Sequence, residues 1–178
     1  MARNRRAVES RRRPLGLGQT WRIEGPFDTS YSLALVNREL GKALDKTGTT
    51  VSLFASEGPG DYEPSSTFLR DTPDVAALHD RSKNEDYGAL DVVTRNMYPP
   101  RVLDMTARLN GLNCYAWEET GFPFTFAESF NESLQFITVT SEHVKTLLID
   151  AGVEVPISVV GNGVDHWNAV VADPSYRL

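Results

Sequence analysis

Cysteine is almost missing from this chain: Cys114 is the single one in 178 residues, so no internal disulfide can form. The three histidines, His79, His143 and His166, stand far apart with no cysteine cluster beside them. That removes zinc sites of the finger or ribbon type, and no metal is expected. Long apolar runs are also lacking. Leu147-Leu148-Ile149 is typical of the longest, against the roughly 20 residues needed to cross a bilayer. No apolar segment follows the basic start, as a secretory signal would require. There is no G-x-x-x-x-G-K-[ST] phosphate loop and no G-x-S-x-G nucleophile elbow. Gly161-Asn162-Gly163 follows a strand-like run, but the third glycine of a dinucleotide fingerprint is absent.

What remains is the composition of a folded domain. Apolar residues make up 40% and charged residues 24%, ordinary values for a chain long enough to bury a core. The charge is unevenly placed. Residues 1–18 carry six arginines and one acid, a net +5, while the rest carries −11. A basic tail on an acidic body could touch nucleic acid or anionic lipid, or could simply be a disordered leader. The body is too acidic for a nonspecific nucleic-acid binder, and no specific nucleic-acid partner is expected.

Periodicity divides residues 19–163 into alternating strands and helices. Gln19–Glu24 reads as a strand stopped by Gly25-Pro26. Asp28, Thr29 or Ser30 can cap a helix to about Lys46, with Leu33, Val36, Leu40 and Leu44 at helical spacing. Thr50–Ala55 is a second strand, 56–66 a loop, and 74–80 a short helix; 81–88 is expected to be exposed. Leu90–Thr94 is a third strand, and Pro99-Pro100 is expected to open a helix over 101–110. Strands at 112–117, 136–140 and 156–160 enclose helices at 126–134 and after the cap Ser141, the latter ended by Gly152. Such alternation predicts an α/β fold, a Rossmann-like parallel sheet with helices on both faces.

In open sheets of this kind ligands sit beyond the carboxyl ends of the strands. The residues there are Gly25, Pro26, Phe27, Asp28 and Ser30, then Arg95, Asn96 and Tyr98, then Glu118 and Glu119, and Ser141. Hydroxyls, amides, a guanidinium, carboxylates and aromatic faces form the mixture that binds hydroxyl-rich ligands such as sugars. Each has a plainer reading. Gly25-Pro26 can be only a turn, Arg95 can pair with an acid, and Glu118 and Glu119 can be solvated loop charges. His143, in the first turn of a helix, reads as a surface residue.

The run Ile137–Lys145, then Gly152-Val153, then Pro156-Ile-Ser-Val-Val-Gly-Asn162-Gly163-Val164-Asp165 resembles the end of the N-terminal domain of family-4-type retaining glycosyltransferases. Tyr31–Leu40, Glu57–Asp61, Tyr98–Arg101 and Tyr115–Glu119 are similar to a bacterial subgroup of that family. The similarity covers about residues 19–166. It implies one half of a two-domain GT-B fold, with the glycine-rich loop of the family represented by Gly25-Pro26-Phe27-Asp28. It further implies a sugar or glycan acceptor as partner and an interdomain hinge at Asn162, Gly163 and Asp165. The nucleotide-sugar donor would bind a second domain, so no cofactor is expected in this chain itself. Residues 164–178 read as the start of the connector to that missing domain, and the chain alone is expected to have little or no transferase activity. Alternatives are a noncatalytic interaction module or half of another GT-B enzyme, such as an epimerase. The expected location is cytoplasmic; association with the inner face of a membrane is nowhere demanded by the body.

Overall fold

A computed structural model describes residues 19–164 together with 171 and 175. The arginine-rich leader, Asp165 and most of the expected connector lie outside the described residues. Six parallel strands form one sheet: β1 (Thr20–Glu24), β2 (Thr50–Phe54), β5 (Val92–Arg95), β6 (Leu109–Tyr115), β7 (Phe136–Val139) and β8 (Ile157–Val159). Their spatial order is β2-β1-β5-β6-β7-β8. The fold is the expected Rossmann-like α/β arrangement. The chain steps one way from β1 to β2, then returns past β1 and builds the other four strands outward. The reversal lies between β1 and β5.

Register explains how the two directions of winding cover the sheet. Ile23 pairs with Leu53 and Thr94, so these share one face. Arg22 pairs with Val93, and Arg95 pairs with Glu24 and Leu112, so these share the opposite face. One apolar cluster joins Ile23, Val51 and Leu53 to Val75 and Leu78. It is closed by α1 (Ser32–Asp45) and α3 (Pro73–Ser82). The other joins Val93, Leu112, Ile137 and Val139 to Phe130, Val144 and Leu148, closed by α4 (Phe124–Ser133) and α5 (Glu142–Asp150). The two clusters thus occupy opposite faces, as right-handed crossovers require when the winding direction reverses.

Local chemistry sets the helix ends. Ser141 accepts the Val144 N–H at 3.3 Å as the cap of α5, and Gly152 takes φ 89° just past its end. α1 departs from expectation. Its cap position is Tyr31, without a side-chain bond, because Asp28 is drawn elsewhere: it accepts from the Tyr62 hydroxyl at 3.0 Å and the Ser65 N–H at 2.8 Å. The deepest stripe of α1 is Ala34, Asn37 and Gly41 rather than the larger residues, which flank it half-buried. At Gly41 a Cβ would lie 3.2 Å from the Leu53 side chain, so the small stripe lets the helix sit close to the sheet.

Three further expectations are corrected. The span 56–66 is no plain loop: β3 (Ser56–Glu57) and β4 (Gly60–Asp61) form a small antiparallel hairpin, and Ser65 caps a short helix, α2 (Ser66–Asp71). The segment 81–88 is only partly exposed, since Ser82 is buried and Glu85 is drawn in to bind Arg22. No helix forms over 101–110. There the Arg101 carbonyl accepts from Arg95 at 2.6 Å, and the Asn110 carboxamide accepts the Ala107 N–H at 3.0 Å. Side chains satisfy backbone groups that a helix would otherwise pair, and Val102, Met105 and Ala107 turn into the core.

Candidate functional site

The reversal between β1 and β5 is where an open α/β sheet leaves a crevice at its carboxyl edge. Beyond Glu24 the pairing continues one step on each side: Gly25 N–H reaches the Phe54 carbonyl at 3.1 Å and Asn96 N–H reaches the Glu24 carbonyl at 3.1 Å. Gly25 then turns at φ 151°, and a Cβ there would lie 2.4 Å from both Asn37 Nδ2 and the Asn96 carbonyl oxygen. Only glycine lets these backbones meet.

Asn37, fully buried on α1, is the clamp. Its Nδ2 donates to the Pro26 carbonyl at 2.9 Å and to the Asn96 carbonyl at 3.0 Å, while its Oδ1 accepts from Asn113 Nδ2 at 3.2 Å. Two carbonyl acceptors fix which way the Asn37 amide points, and that in turn fixes Asn113. Asn113 Oδ1 and Asn96 Nδ2 are left buried without a partner, on side chains only 3% exposed. An unmet buried polar group costs about 1–3 kcal/mol, so such a pair calls for an explanation.

Asn113 belongs to an irregular stretch of β6, where the register to β7 shifts between Leu112 and Tyr115. The neighbouring Cys114 takes φ 49°, and its N–H is caught by Thr138 Oγ1 at 2.9 Å. Bulges of this kind re-aim side chains next to ligand sites. Burial pushes the Cys114 thiol pKa up.

Beneath the crevice lies a buried ionic layer on the opposite face. Arg95 is 3% exposed and all its nitrogens face protein acceptors. Nε donates to Glu24 at 2.6 Å, one terminal nitrogen to Asp104 at 2.5 Å and the Arg101 carbonyl, the other to Asp104 at 3.2 Å. Burial works to lower the Arg95 pKa, but Asp104 and Glu24 outweigh it and hold it above the ordinary value. Asp104 is correspondingly held low: burial opposes this, and the Arg95 guanidinium prevails. Glu24 also lies 3.6 Å from Arg22, which donates to Glu85 at 3.0 Å. Arg95 therefore acts as scaffold in this arrangement.

Aromatic rings gather beyond the carboxyl ends of β5 and β6. Tyr98 is 62% exposed, and its ring centroid is 6.3 Å from that of Trp117. Trp117 continues edge-on to Phe122 at 5.0 Å and to Phe126 at 6.4 Å. Tyr115 packs edge-on against Phe130 below, with its hydroxyl buried and unpartnered.

Of the residues singled out in the sequence, Gly25, Pro26 and Asn96 meet around Asn37 at the reversal, and Tyr98 is exposed beyond β5. Phe27 is fully buried in the apolar cluster, its ring 5.4 Å from that of His79. Asp28 ties the β1–α1 loop to the segment before α2, and Ser30 is exposed. Glu118 and Glu119 are exposed beyond β6. Ser141 caps α5 beyond β7, and Asn162 and Gly163 are exposed beyond the edge strand β8, four places from β1. Asn37 and Asn113 escaped the sequence reading. Their signal was an amide inside an apolar helical stripe and another inside an apolar strand.

A separate concavity of about 300 Å³ lies at the outer strand β2, between Phe54, Tyr62, His79 and Lys83. Among the described residues no group of three or more His, Cys, Asp or Glu side chains could hold a metal ion. No helix among them is long and apolar enough to cross a membrane. Compared with known proteins, the chain matches no family model, no curated protein and no solved structure at a significant level.

Proposed function

We propose that this chain is the acceptor-side domain of a glycosyltransferase, the N-terminal half of a GT-B fold. The complete enzyme would move a hexose from a nucleotide-sugar with retention of configuration. The observation that carries the reading is the reversal of winding between β1 and β5, at whose carboxyl edge Gly25, Pro26 and Asn96 are gathered around Asn37, with Tyr98 exposed beyond β5. The carboxyl edge at such a reversal is where open α/β sheets bind ligands. The Asn162-Gly163-Val164-Asp165 run beyond β8 supports it further, by resemblance.

Mechanistically, this half holds and orients the acceptor hydroxyl. Transfer also needs the anomeric carbon of the donor placed against that hydroxyl in a cleft closed to water, and a site that stabilises the departing diphosphate. A donor-binding domain would supply those parts.

Saturation-transfer NMR on the 178-residue chain tests the division of labour. Simple glycosides or polyols are expected to receive saturation, whereas nucleotide-hexoses are not. Addition of such donors to the chain alone should give no transfer. Saturation of nucleoside protons with no response from any carbohydrate, or sugar transfer by the chain alone, would overturn the proposal.

A further inference from the structure

We propose that the concavity at the outer strand β2 is a binding site for a small aromatic ring that carries an N–H donor and no negative charge, and that His79 receives that hydrogen. The site is separate from the β1/β5 edge, and the proposal does not rest on glycosyl transfer.

His79 is 6% exposed and lines the concavity. Its Nδ1 lies 3.2 Å from the Leu53 carbonyl oxygen. A carbonyl only accepts, so Nδ1 carries the ring hydrogen, and Nε2 of the neutral ring is left as an acceptor. Nε2 has no partner among the described residues, yet it is not one of the sealed polar atoms. It therefore keeps an opening, and the concavity is the space beside the ring. Capping the outer edge of β2 uses Nδ1 alone, as Arg81 uses one terminal nitrogen to cap the Val51 carbonyl at 2.9 Å. The second ring nitrogen has no structural task.

The walls select a flat guest. Phe54, Ala55 and Tyr62 line the same space. Tyr62 is held by its hydroxyl bond to Asp28 at 3.0 Å, and the His79 ring packs 5.4 Å from that of Phe27, so two rings of the wall are fixed before any guest arrives. Aromatic walls favour a planar ring, stacked or edge-on. A volume of about 300 Å³ stands at the lower end of ligand pockets and admits one or two fused rings rather than a large cofactor. Charge narrows the choice. Lys83 is tied to Asp80 at 2.7 Å, and Asp61 to Arg101 at 3.3 Å. Glu63, also in the lining and exposed, has neither ion pair nor hydrogen bond among the described residues. An unpaired carboxylate there repels anions, nucleotides included, and offers a second acceptor to a guest that donates.

The test follows the imidazole nitrogen resonances of His79 in the full chain, titrated with indole, 1-methylindole and indole-3-carboxylate. Indole is expected to shift Nε2 saturably. The methylated probe keeps the rings but lacks the donor, and should bind roughly fivefold more weakly, the share of one hydrogen bond. The carboxylate probe should also bind more weakly than indole. In His79→Asn the side-chain amide can still donate to the Leu53 carbonyl, and indole should lose its advantage over 1-methylindole. Glu63→Gln disturbs no protein partner. It should keep the melting temperature and narrow the gap between indole and indole-3-carboxylate, which decides the matter even if His79→Asn does not fold. Equal affinities of the parent for indole and 1-methylindole would overturn the proposal, as would tighter binding of indole-3-carboxylate. Silence of Nε2 toward all three probes would overturn it too, that nitrogen then facing water only.

Discussion

Gly25 concentrates the constraints of the crevice in one residue. Its φ of 151° and the 2.4 Å approaches to Asn37 Nδ2 and the Asn96 carbonyl leave no room for a methyl group bounded by backbone. Gly25→Ala should lower stability by about 3 kcal/mol, from backbone strain and broken Asn37 bonds together. The measurement is the urea midpoint at constant m, and an unchanged midpoint would contradict the clamp. At this scale the sequence was readable where a residue's role is local, as for Ser141. It was opaque where the role depends on a distant partner. Arg95 reads equally as ligand-binding or structural until Glu24 and Asp104 are seen on either side of it.

Among the elements, α5 and the segment 101–110 make the contrast. α5 carries its own punctuation: a serine cap, apolar residues at helical spacing and a closing glycine. Ser141→Ala should cost about 1 kcal/mol, read as a lower thermal or urea midpoint, because the Val144 N–H loses its acceptor. The segment 101–110 has comparable apolar spacing, but Arg95 takes its first carbonyl and Asn110 folds back on Ala107, so no helix nucleates. Tertiary bonds override propensity there. The same limit hid α2 and the β3–β4 hairpin, which are anchored by Asp28 and by Arg101, one upstream and one downstream in the chain.

The whole molecule has its own titration. Burial is the first cause raising the pKa of Tyr31, Tyr62, Tyr87 and Tyr115, and Tyr87, further opposed by the Glu24 charge, is pushed up to about 12. An acid raised on folding stabilises the fold below its unfolded pKa of about 10, and that contribution fades as pH climbs past it. Absorbance at 295 nm should therefore show fewer ionised tyrosines at pH 11 in the native chain than in the denatured one. Equal values would mean that these phenols are not enclosed. The alternation of strands and helices made the α/β class readable in advance. The order of the strands was not readable, because pairing between β1 and β5 joins residues some 70 positions apart.

The placement of the apolar clusters on opposite faces of the sheet carries a mechanical meaning. Neither apolar cluster extends across the turning point of the winding; amides, ion pairs, strand hydrogen bonds and side-chain bonds such as Trp21 to Thr94 do. A guest seated between β1 and β5 leans on two separately packed blocks at once. Its binding energy would act on how those blocks are aligned, much as a key pressed into a seam sets the angle of the leaves it joins.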